Sequence, residues 1–250
     1  FNADDAKHKT WTLKEGVVKI NGYNPQPGDV KFKDLRVDGV INAGDNTVDN
    51  PGDRKVIGND AARYQFGISL GASYKGWSLE VLLQGVGKRD YWLGGPAMFP
   101  FGGAGAGDAV FQALYANQTD YWRAKSYDPS SSDYMVPVNP DSKLFRIYDQ
   151  GNNVGSNTRV SDKYLQNAAY MRIKNITLAY TLPKEWVRRA FIQDAKFYLS
   201  IENLATFSSL PKGYDPEGTA PSSTANALSN GISWGYPYYR TISLGASITF

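Results

Sequence analysis

The fold is indicated by the stretch YYRTISLGASITF, residues Tyr238–Phe250, in which apolar and polar side chains alternate almost without fault. A period of two places alternate residues on opposite faces of a β-strand. One face carries Tyr238, Arg240, Ile242, Leu244, Ala246, Ile248 and Phe250, and the other carries Tyr239, Thr241, Ser243, Gly245, Ser247 and Thr249. The stretch therefore predicts a long strand with one apolar face and one face of small polar residues.

The same pattern predicts four more long strands, at Arg63–Tyr74, Trp77–Gly87, Ala168–Leu182 and Ala195–Leu204. Only Lys75-Gly76 separates the first two strands, which predicts a tight β-hairpin. Within the third strand the apolar phase changes, because Ile173 and Ile176 are an odd number of residues apart. A β-bulge near Lys174-Asn175 would return all of its large apolar residues to one face.

The connections between the predicted strands fall into two classes of length. Lys75-Gly76 and Pro183–Gln193 are short, and the second reads as one or two helical turns, whereas Lys88–Asn167 and Thr206–Pro237 are long. Following the strands back from the C-terminus puts both short connections at one end of the sheet. Short turns at one end and long loops at the other are typical of transmembrane β-barrels, whose strands also have one apolar and one polar face.

Composition excludes several classes of function. The chain has 250 residues with no cysteine, one histidine (His8) and a net charge of +3. Disulfide frameworks, zinc–thiolate sites, thiol nucleophiles and histidine-based catalysis are therefore excluded or implausible. No basic block indicates nucleic acid, and no apolar run is long enough for a transmembrane helix. We therefore expect a protein that is not an enzyme and does not bind nucleic acid.

One Asp/Gly-rich segment has part of the spacing of a calcium-binding loop. Asp34, Asp38 and Asp45 occupy loop positions one, five and twelve, and Gly39 occupies the sixth, where such a loop turns sharply. Arg36 stands where an oxygen ligand is expected. The alternative is an ordinary turn in which the carboxylates bind backbone N–H groups. Calcium at Asp34, Asp38 and Asp45 is therefore one of two interpretations, and no other cofactor is expected.

Other candidate residues lie on the polar faces of the strands or in the long loop. Five polar side chains are predicted to line the water-filled side of a barrel: Arg63, Gln65, Glu80, Gln84 and Lys196. Four loop aromatic residues are candidates for contact with a ligand or a lid protein: Trp92, Tyr121, Trp122 and Tyr127. The alternative for these four residues is the internal core of the loop.

Several phrases of the chain, taken in order, resemble the SusC/RagA-like TonB-dependent transporters. They are GDVKFKD (Gly28–Asp34), Asp38-Gly39, Val56–Gly58, the hairpin Tyr64–Trp92, YMRIKNITLAYTLPKEW (Tyr170–Trp186), FYLSIENLATFS (Phe197–Ser208), GYDPEG (Gly213–Gly218) and YPYYRTISLGASITF (Tyr236–Phe250). A terminal Phe is also the usual end of bacterial outer-membrane barrels. The resemblance runs from about Gly28 to Phe250.

The resemblance implies a location, a fold and a set of partners. Members of the family are 22-stranded barrels of the bacterial outer membrane with an N-terminal plug. They import oligosaccharides or peptides with energy from TonB, beneath a SusD-like surface lipoprotein that acts as a lid. The chain has about five predicted strands and no plug, so we expect it to be the C-terminal portion of such a barrel. Residues 1–62 are then an extracellular loop region with the Asp/Gly-rich turn, and residues 63–250 are the barrel portion.

One alternative of another class is consistent with the aromatic and Asp/Gly-rich composition. A soluble, secreted β-sandwich that binds carbohydrate would also have Tyr- and Trp-rich loops. Sandwich strands are usually about 5–6 residues long and bury their apolar faces against each other. The predicted strands here are longer, so the barrel is the favoured fold class: all-β, with antiparallel strands that face lipid.

Overall fold

The computed structural model describes residues 13–20, 22–93, 98–99, 114–148, 154–212, 214–218 and 238–250. The chain divides into two compact units. The first contains the described residues of Phe1–Ile57 and Trp92–Tyr164, and the second contains those of Gly58–Tyr91, Leu165–Pro221 and Ser233–Phe250. Among the described residues, no helix is long and apolar enough to cross a membrane.

Strands dominate the regular structure of the described residues. The strands are β1 (Arg63–Tyr74), β2 (Trp77–Lys88), β3 (Asp90–Trp92), β4 (Leu165–Asn167), β5 (Tyr170–Thr181), β6 (Asp194–Ser208) and β7 (Thr241–Thr249). Two single-turn helices are α1 (Val154–Asn157) and α2 (Lys184–Val187), and 3-10 turns lie at Ala116–Gln118, Asp162–Tyr164 and Arg188–Ala190. The predicted all-β class is confirmed.

The second unit is built on one antiparallel sheet of five strands in the order β1-β2-β5-β6-β7, and β3 and β4 form a separate two-stranded sheet. All four strand pairs of the large sheet are antiparallel. The five predicted long strands are therefore confirmed, each to within a few residues of its expected ends. Among the described strands β1 and β7 each have one neighbour, so they form the two edges of an open sheet.

The two short connections have the conformations that their sequences predict. Lys75 and Gly76 both have positive φ, 47° and 85°, which is the signature of the tight hairpin turn that matches the strand twist. A Cβ at Gly76 would lie 2.8 Å from the carbonyl oxygen of Thr181, so the residue must be glycine. The second connection contains α2 and the 3-10 turn Arg188–Ala190. Both connections lie at the same end of the sheet, which we call the turn end.

The predicted bulge in β5 is also confirmed. Leu82 pairs with Asn175 while Leu83 pairs with Ile173, so Lys174 is an extra residue between them. On the other side of β5, Ile173 pairs with Ala205 and Asn175 pairs with Glu202. Strand β6 therefore carries an extra residue at the same level, and Asn203 there has a φ of 50°. The bulge at Lys174 keeps the apolar side chains of β5 on one face, in register with those of β6.

The first unit has little regular structure and is held by hydrogen bonds to the carboxylate of Asp29. Asp29 Oδ1 accepts from the Tyr148 hydroxyl at 2.5 Å and from Asn157 Nδ2 at 2.8 Å, and Oδ2 accepts from the Gln26 N–H at 2.7 Å. Burial of Asp29 raises its pKa, although these hydrogen bonds act in the opposite direction. Gly28 has a φ of +92°, and a Cβ there would lie 2.6 Å from the Trp122 ring.

Candidate functional site

The register of the five-stranded sheet assembles one continuous apolar face. Residues that pair directly in an antiparallel sheet point to the same side, so each row of partners shares a face. Three complete rows are Tyr74, Trp77, Tyr180, Phe197 and Ala246; Ala72, Leu79, Leu178, Leu199 and Leu244; and Leu70, Val81, Ile176, Ile201 and Ile242. We call these rows the apolar face.

The apolar face is largely uncovered by the described residues. Leu244 is 83% exposed, Ile242 64% and Leu70 56%. Large apolar side chains in a folded protein are normally buried, and an extended exposed apolar surface indicates contact with a partner or a membrane. No second sheet covers these rows in the part of the chain that the structure describes. The packing expected for a β-sandwich is therefore not formed by the described residues.

The opposite face is made mostly of small and polar residues. Its rows are Ser73, Ser78, Ala179, Tyr198 and Gly245; Gly71, Glu80, Thr177, Ser200 and Ser243; and Ser69, Leu82, Asn175, Glu202 and Thr241. We call this the polar face. The residues predicted to face water occupy register positions on this face: Arg63, Gln65, Glu80, Gln84 and Lys196. They do not converge on one site, and Arg63 forms an ion pair with Asp90 at 3.6 Å.

A buried ion network lies on the polar face at the end of the sheet opposite the turns. Arg172 of β5 is 2% exposed and sits between strand and loop partners. Its Nε donates to Thr206 Oγ1 at 2.8 Å, and its Nη2 donates to Asp215 Oδ1 at 2.7 Å. Its Nη1 lies 3.2 Å from Glu217 Oε1. A planar guanidinium is suited to several simultaneous partners of this kind.

Lys174 and Tyr238 complete the network, which we call the loop clamp (Arg172, Lys174, Asp215, Glu217 and Tyr238). Lys174 Nζ donates to Glu217 Oε2 at 3.0 Å and lies 4.4 Å from the centre of the Tyr238 ring. The backbone N–H of Tyr238 donates to Asp215 Oδ2 at 3.1 Å. Two cations thus face two carboxylates beneath an aromatic ring, so the clamp is close to electrically neutral.

The clamp also fixes the ionisation of its buried acid. Burial acts to raise the pKa of Asp215, but hydrogen bonds from the backbone N–H groups of Glu217 and Tyr238 and the charge of Arg172 outweigh it. The pKa of Asp215 is therefore held below its ordinary value. The carboxylate stays charged at neutral pH, which keeps its attraction to the guanidinium.

The clamp is a feature that the sequence argument missed. From the sequence alone, the strand acids Glu80 and Glu202 could be solvated or pair with Lys196, Arg172 or Lys174. The structure pairs both cations with the loop acids Asp215 and Glu217 instead. The phrase GYDPEG, which contains both acids, was the available signal, but the sequence alone did not show that this segment returns to β5.

The four aromatic candidates of the loop differ in their surroundings. Trp122 is 6% exposed and packs with Ala124 and Met135. This environment matches the alternative of a residue in the internal core of the loop, and it does not offer an open surface to a ligand. Trp92 and Tyr121 are half-buried and pack against a second cluster around Phe99, Leu144, Phe145 and Tyr164. Tyr127 is 52% exposed, and its hydroxyl accepts from the Ala124 N–H at 3.2 Å. Among these four, Tyr127 has the most accessible ring.

The Asp/Gly-rich turn is held by bonds from backbone to side chain. Asp34 accepts from the N–H groups of Val37 and Gly39 at 2.7 and 2.8 Å. Asp38 forms an ion pair with Arg36 at 3.4 Å, and Asp45 accepts from the side chain of Asn50. In the described ranges, no three acidic or histidine side chains are grouped so that they could hold a metal ion. Calcium at Asp34, Asp38 and Asp45 stays a prediction.

Comparison with known proteins gives relatives that cover almost the whole chain. No family model matches it. The chain is 26% identical over 241 residues, 94% of its length, to TonB-dependent receptor P3 of Formosa agariphila, of which it covers 20%. It is 24% identical over 96% of its length to TonB-dependent receptor P26 of the same organism, of which it covers 22%. The chain thus spans about one fifth of the length of these relatives.

Solved structures similar to the chain include the RagAB peptide transporter. The TM-score is 0.43 at 22% sequence identity, and the match covers 74% of this chain and 17% of the other. The open-open state of the RagAB peptide importer gives a TM-score of 0.42 at 22% identity, over the same shares of the two chains. The relatives confirm the TonB-dependent part of the resemblance read from the sequence: over nearly its whole length, the chain is similar to a portion of two TonB-dependent receptors.

Proposed function

We propose that the chain forms five adjacent wall strands, at the C-terminal end, of a 22-stranded transporter barrel in the bacterial outer membrane. The apolar face carries this proposal, because fifteen register positions in three rows are in phase across five strands and are left uncovered. Exposing a large apolar side chain to water rather than burying it costs about 1.5–3 kcal/mol. Contact with the acyl chains of lipids would remove this free-energy cost for every side chain of the apolar face.

Strand length supports the same proposal. The strands β1, β2 and β5 have 12 residues each, β6 has 15 and β7 has 9. A tilted strand needs about 9–11 residues to cross the hydrocarbon layer. In lipid the free edges of β1 and β7 would leave backbone groups unpaired, so other strands must pair with them and close the wall.

The polar face then lines the interior of the barrel. Its serine, threonine and glycine residues are small and leave room for water, and Glu80, Gln84 and Lys196 provide charge and hydrogen-bonding groups. The loop clamp holds the base of the loop between β6 and β7 against this interior. The proposed role is transport rather than catalysis: the wall separates lipid from a channel through which oligosaccharides or peptides pass.

Two protein partners are proposed from the family resemblance: a surface lipoprotein and TonB. A SusD-like surface lipoprotein would close over the long loops as a lid, with Tyr127 as the most accessible of the aromatic candidates. TonB would act through parts of the transporter outside this chain. No described feature favours the soluble carbohydrate-binding alternative, because that fold requires the apolar face to be covered by protein.

Cysteine labelling tests which face meets lipid. The chain contains no cysteine, so single substitutions give no background. Leu70→Cys and Ile242→Cys place a thiol on the apolar face, and Gly71→Cys and Ser243→Cys place one on the polar face beside them. In membranes, a water-soluble maleimide should label the two polar-face variants and spare the two apolar-face variants, and all four should react after detergent denaturation.

The outcomes discriminate between lipid and protein as the cover of the apolar face. Equal labelling of both faces in membranes would refute the proposed wall. A protein that is monodisperse in lipid-free, detergent-free buffer, with Leu70→Cys still protected, would point to burial within protein and to the soluble alternative.

A further inference from the structure

We propose that the turn end of the sheet is a binding surface for anionic phospholipid, with an acyl chain against the apolar face and the headgroup on the cations of the two short connections. The inference rests on the proposed membrane location of the sheet. It adds a preference of the protein for anionic lipids, which a barrel wall alone does not require. Four features of the turn end support it: an aromatic row, an exposed aromatic turn, an excess of positive charge and a shallow apolar hollow.

An aromatic row crosses the sheet beside the two short connections. Tyr74, Trp77, Tyr180 and Phe197 occupy successive strands at one level of the register. The Trp77 and Tyr180 rings are 4.7 Å apart at an interplanar angle of 38°. Tyrosine and tryptophan favour the level of the lipid headgroups, because their rings are apolar and each carries a polar group. The row therefore marks the membrane–water boundary at the turn end.

The second connection presents more aromatic surface than a turn in water would. Trp186 is 64% exposed and Phe191 is 93% exposed, whereas Val187 between them is buried at 4%. The buried valine fixes the turn to the protein and leaves the two aromatic rings outward. Exposed tryptophan and phenylalanine beside cationic residues are typical of segments that lie in the membrane interface.

The charge of the two connections selects the headgroup. Lys75, Lys184, Arg188 and Arg189 are exposed there, against the acidic residues Glu185 and Asp194, so four cations and two anions give a net charge of +2. None of the four cations forms an ion pair among the described residues. Basic residues beside a membrane attract anionic lipids within about a Debye length.

A shallow concavity on the apolar face provides the place for the acyl chain. It lies between Trp77, Tyr180 and Phe197 on one side and Leu244 on the other, where the small side chain of Ala246 of β7 leaves space. An apolar hollow directly beside cationic turns matches a molecule with a hydrocarbon tail and an anionic head. Free phosphate would use the cations alone, which is why we assign the surface to phospholipid.

Quenching of tryptophan by brominated lipids measures this preference. The full transporter that carries this chain is reconstituted in bilayers with a fixed fraction of brominated phosphatidylglycerol or brominated phosphatidylcholine. The signal of Trp186 is the difference between the native protein and Trp186→Phe. We expect the quenching of Trp186 to show that the site binds phosphatidylglycerol about fivefold more tightly than phosphatidylcholine. This factor corresponds to the attraction of about one cation to an anionic membrane surface.

The double variant Arg188→Gln/Arg189→Gln should remove most of that preference, as should high salt. The control Lys31→Gln/Lys33→Gln makes the same change of charge in the first unit and should leave the preference intact. Equal quenching by the two lipids, or a preference that survives Arg188→Gln/Arg189→Gln, would overturn the lipid site. Absence of quenching of Trp186 by either lipid would instead overturn the membrane location itself, so the two failures are distinguishable.

Discussion

Replacing Arg172 by methionine tests whether the loop clamp holds the loop between β6 and β7. Methionine fills a similar apolar volume but removes the guanidinium from between Asp215 and Glu217, whose side chains are 9% and 10% exposed. Removing one partner of a buried ion pair costs about 3–5 kcal/mol, because the remaining charge stays desolvated. The loop base should therefore open more than about a hundredfold more often, since about 1.4 kcal/mol corresponds to a factor of ten.

Hydrogen exchange of two backbone amides reports this opening directly. The N–H groups of Glu217 and Tyr238 donate to Asp215 at 2.9 and 3.1 Å, so both lose protection when the clamp opens. In Arg172→Met both amides should exchange more than about a hundredfold faster. Lys196→Met is the matched control, because it removes an exposed cation from the same face, and it should leave both rates unchanged.

The clamp does not hold the loop if the two amides keep their native exchange rates in Arg172→Met while the strand amides of β5 and β6 stay protected. Protection of the strand amides shows that the sheet itself has folded. Arg172→Lys is a second variant that keeps the charge but not the forked geometry, and we expect it to fall between the native protein and Arg172→Met. An Arg172→Lys variant that opens as readily as Arg172→Met would assign the effect to geometry rather than charge.

Two further predictions concern pH and backbone strain. Because the pKa of Asp215 is lowered in the folded protein, its stabilisation is fully present above about pH 4, the unfolded value, and is lost as the pH falls through the lower folded value. The pKa of Asp29 is raised, so its contribution has the opposite sign and is lost as the pH rises through the folded value. Amides that donate to each carboxylate should show these opposite trends once the intrinsic pH dependence of exchange is removed, and parallel trends would contradict the assignment. Gly28→Ala should destabilise the first unit by about 2–4 kcal/mol through overpacking and strain, because its Cβ would lie 2.6 Å from Trp122. Gly16→Ala is the control, since Gly16 has a φ of +75° and no atom within 4 Å of the added Cβ; equal losses of stability in a denaturant titration would show that packing against Trp122 contributes nothing.

The strands and their faces were predictable because their information is local. Alternation along each segment sets its two faces, and the change of phase after Ile173 requires an extra residue at Lys174. The turn at Lys75-Gly76 was equally predictable, because so short a connection leaves one common geometry. Each of these inferences depends on residues that are neighbours in sequence.

The loop clamp and the loop core were not predictable, because they depend on contacts between distant parts of the chain. Arg172 and Asp215 are 43 residues apart, and nothing local indicates that a loop acid rather than Glu80 neutralises the cation. Trp122 could equally have been an exposed ring or a buried one, because an aromatic residue in a polar loop suits both. Only the packing of residues 13–57 with 114–148 distinguishes these cases.

The contact between Tyr238 and Asp215 has a consequence for changes in the length of the segment between them. The two residues stand on either side of the stretch between Gly218 and Tyr238, and their bond ties its two ends together at the sheet. Because the cost of loop closure grows by only about 0.6 kcal/mol with each doubling of loop length, insertions or deletions in this stretch should disturb the strands little. A change of length in this segment can therefore leave in place the attachment point that Arg172 and its acidic partners hold.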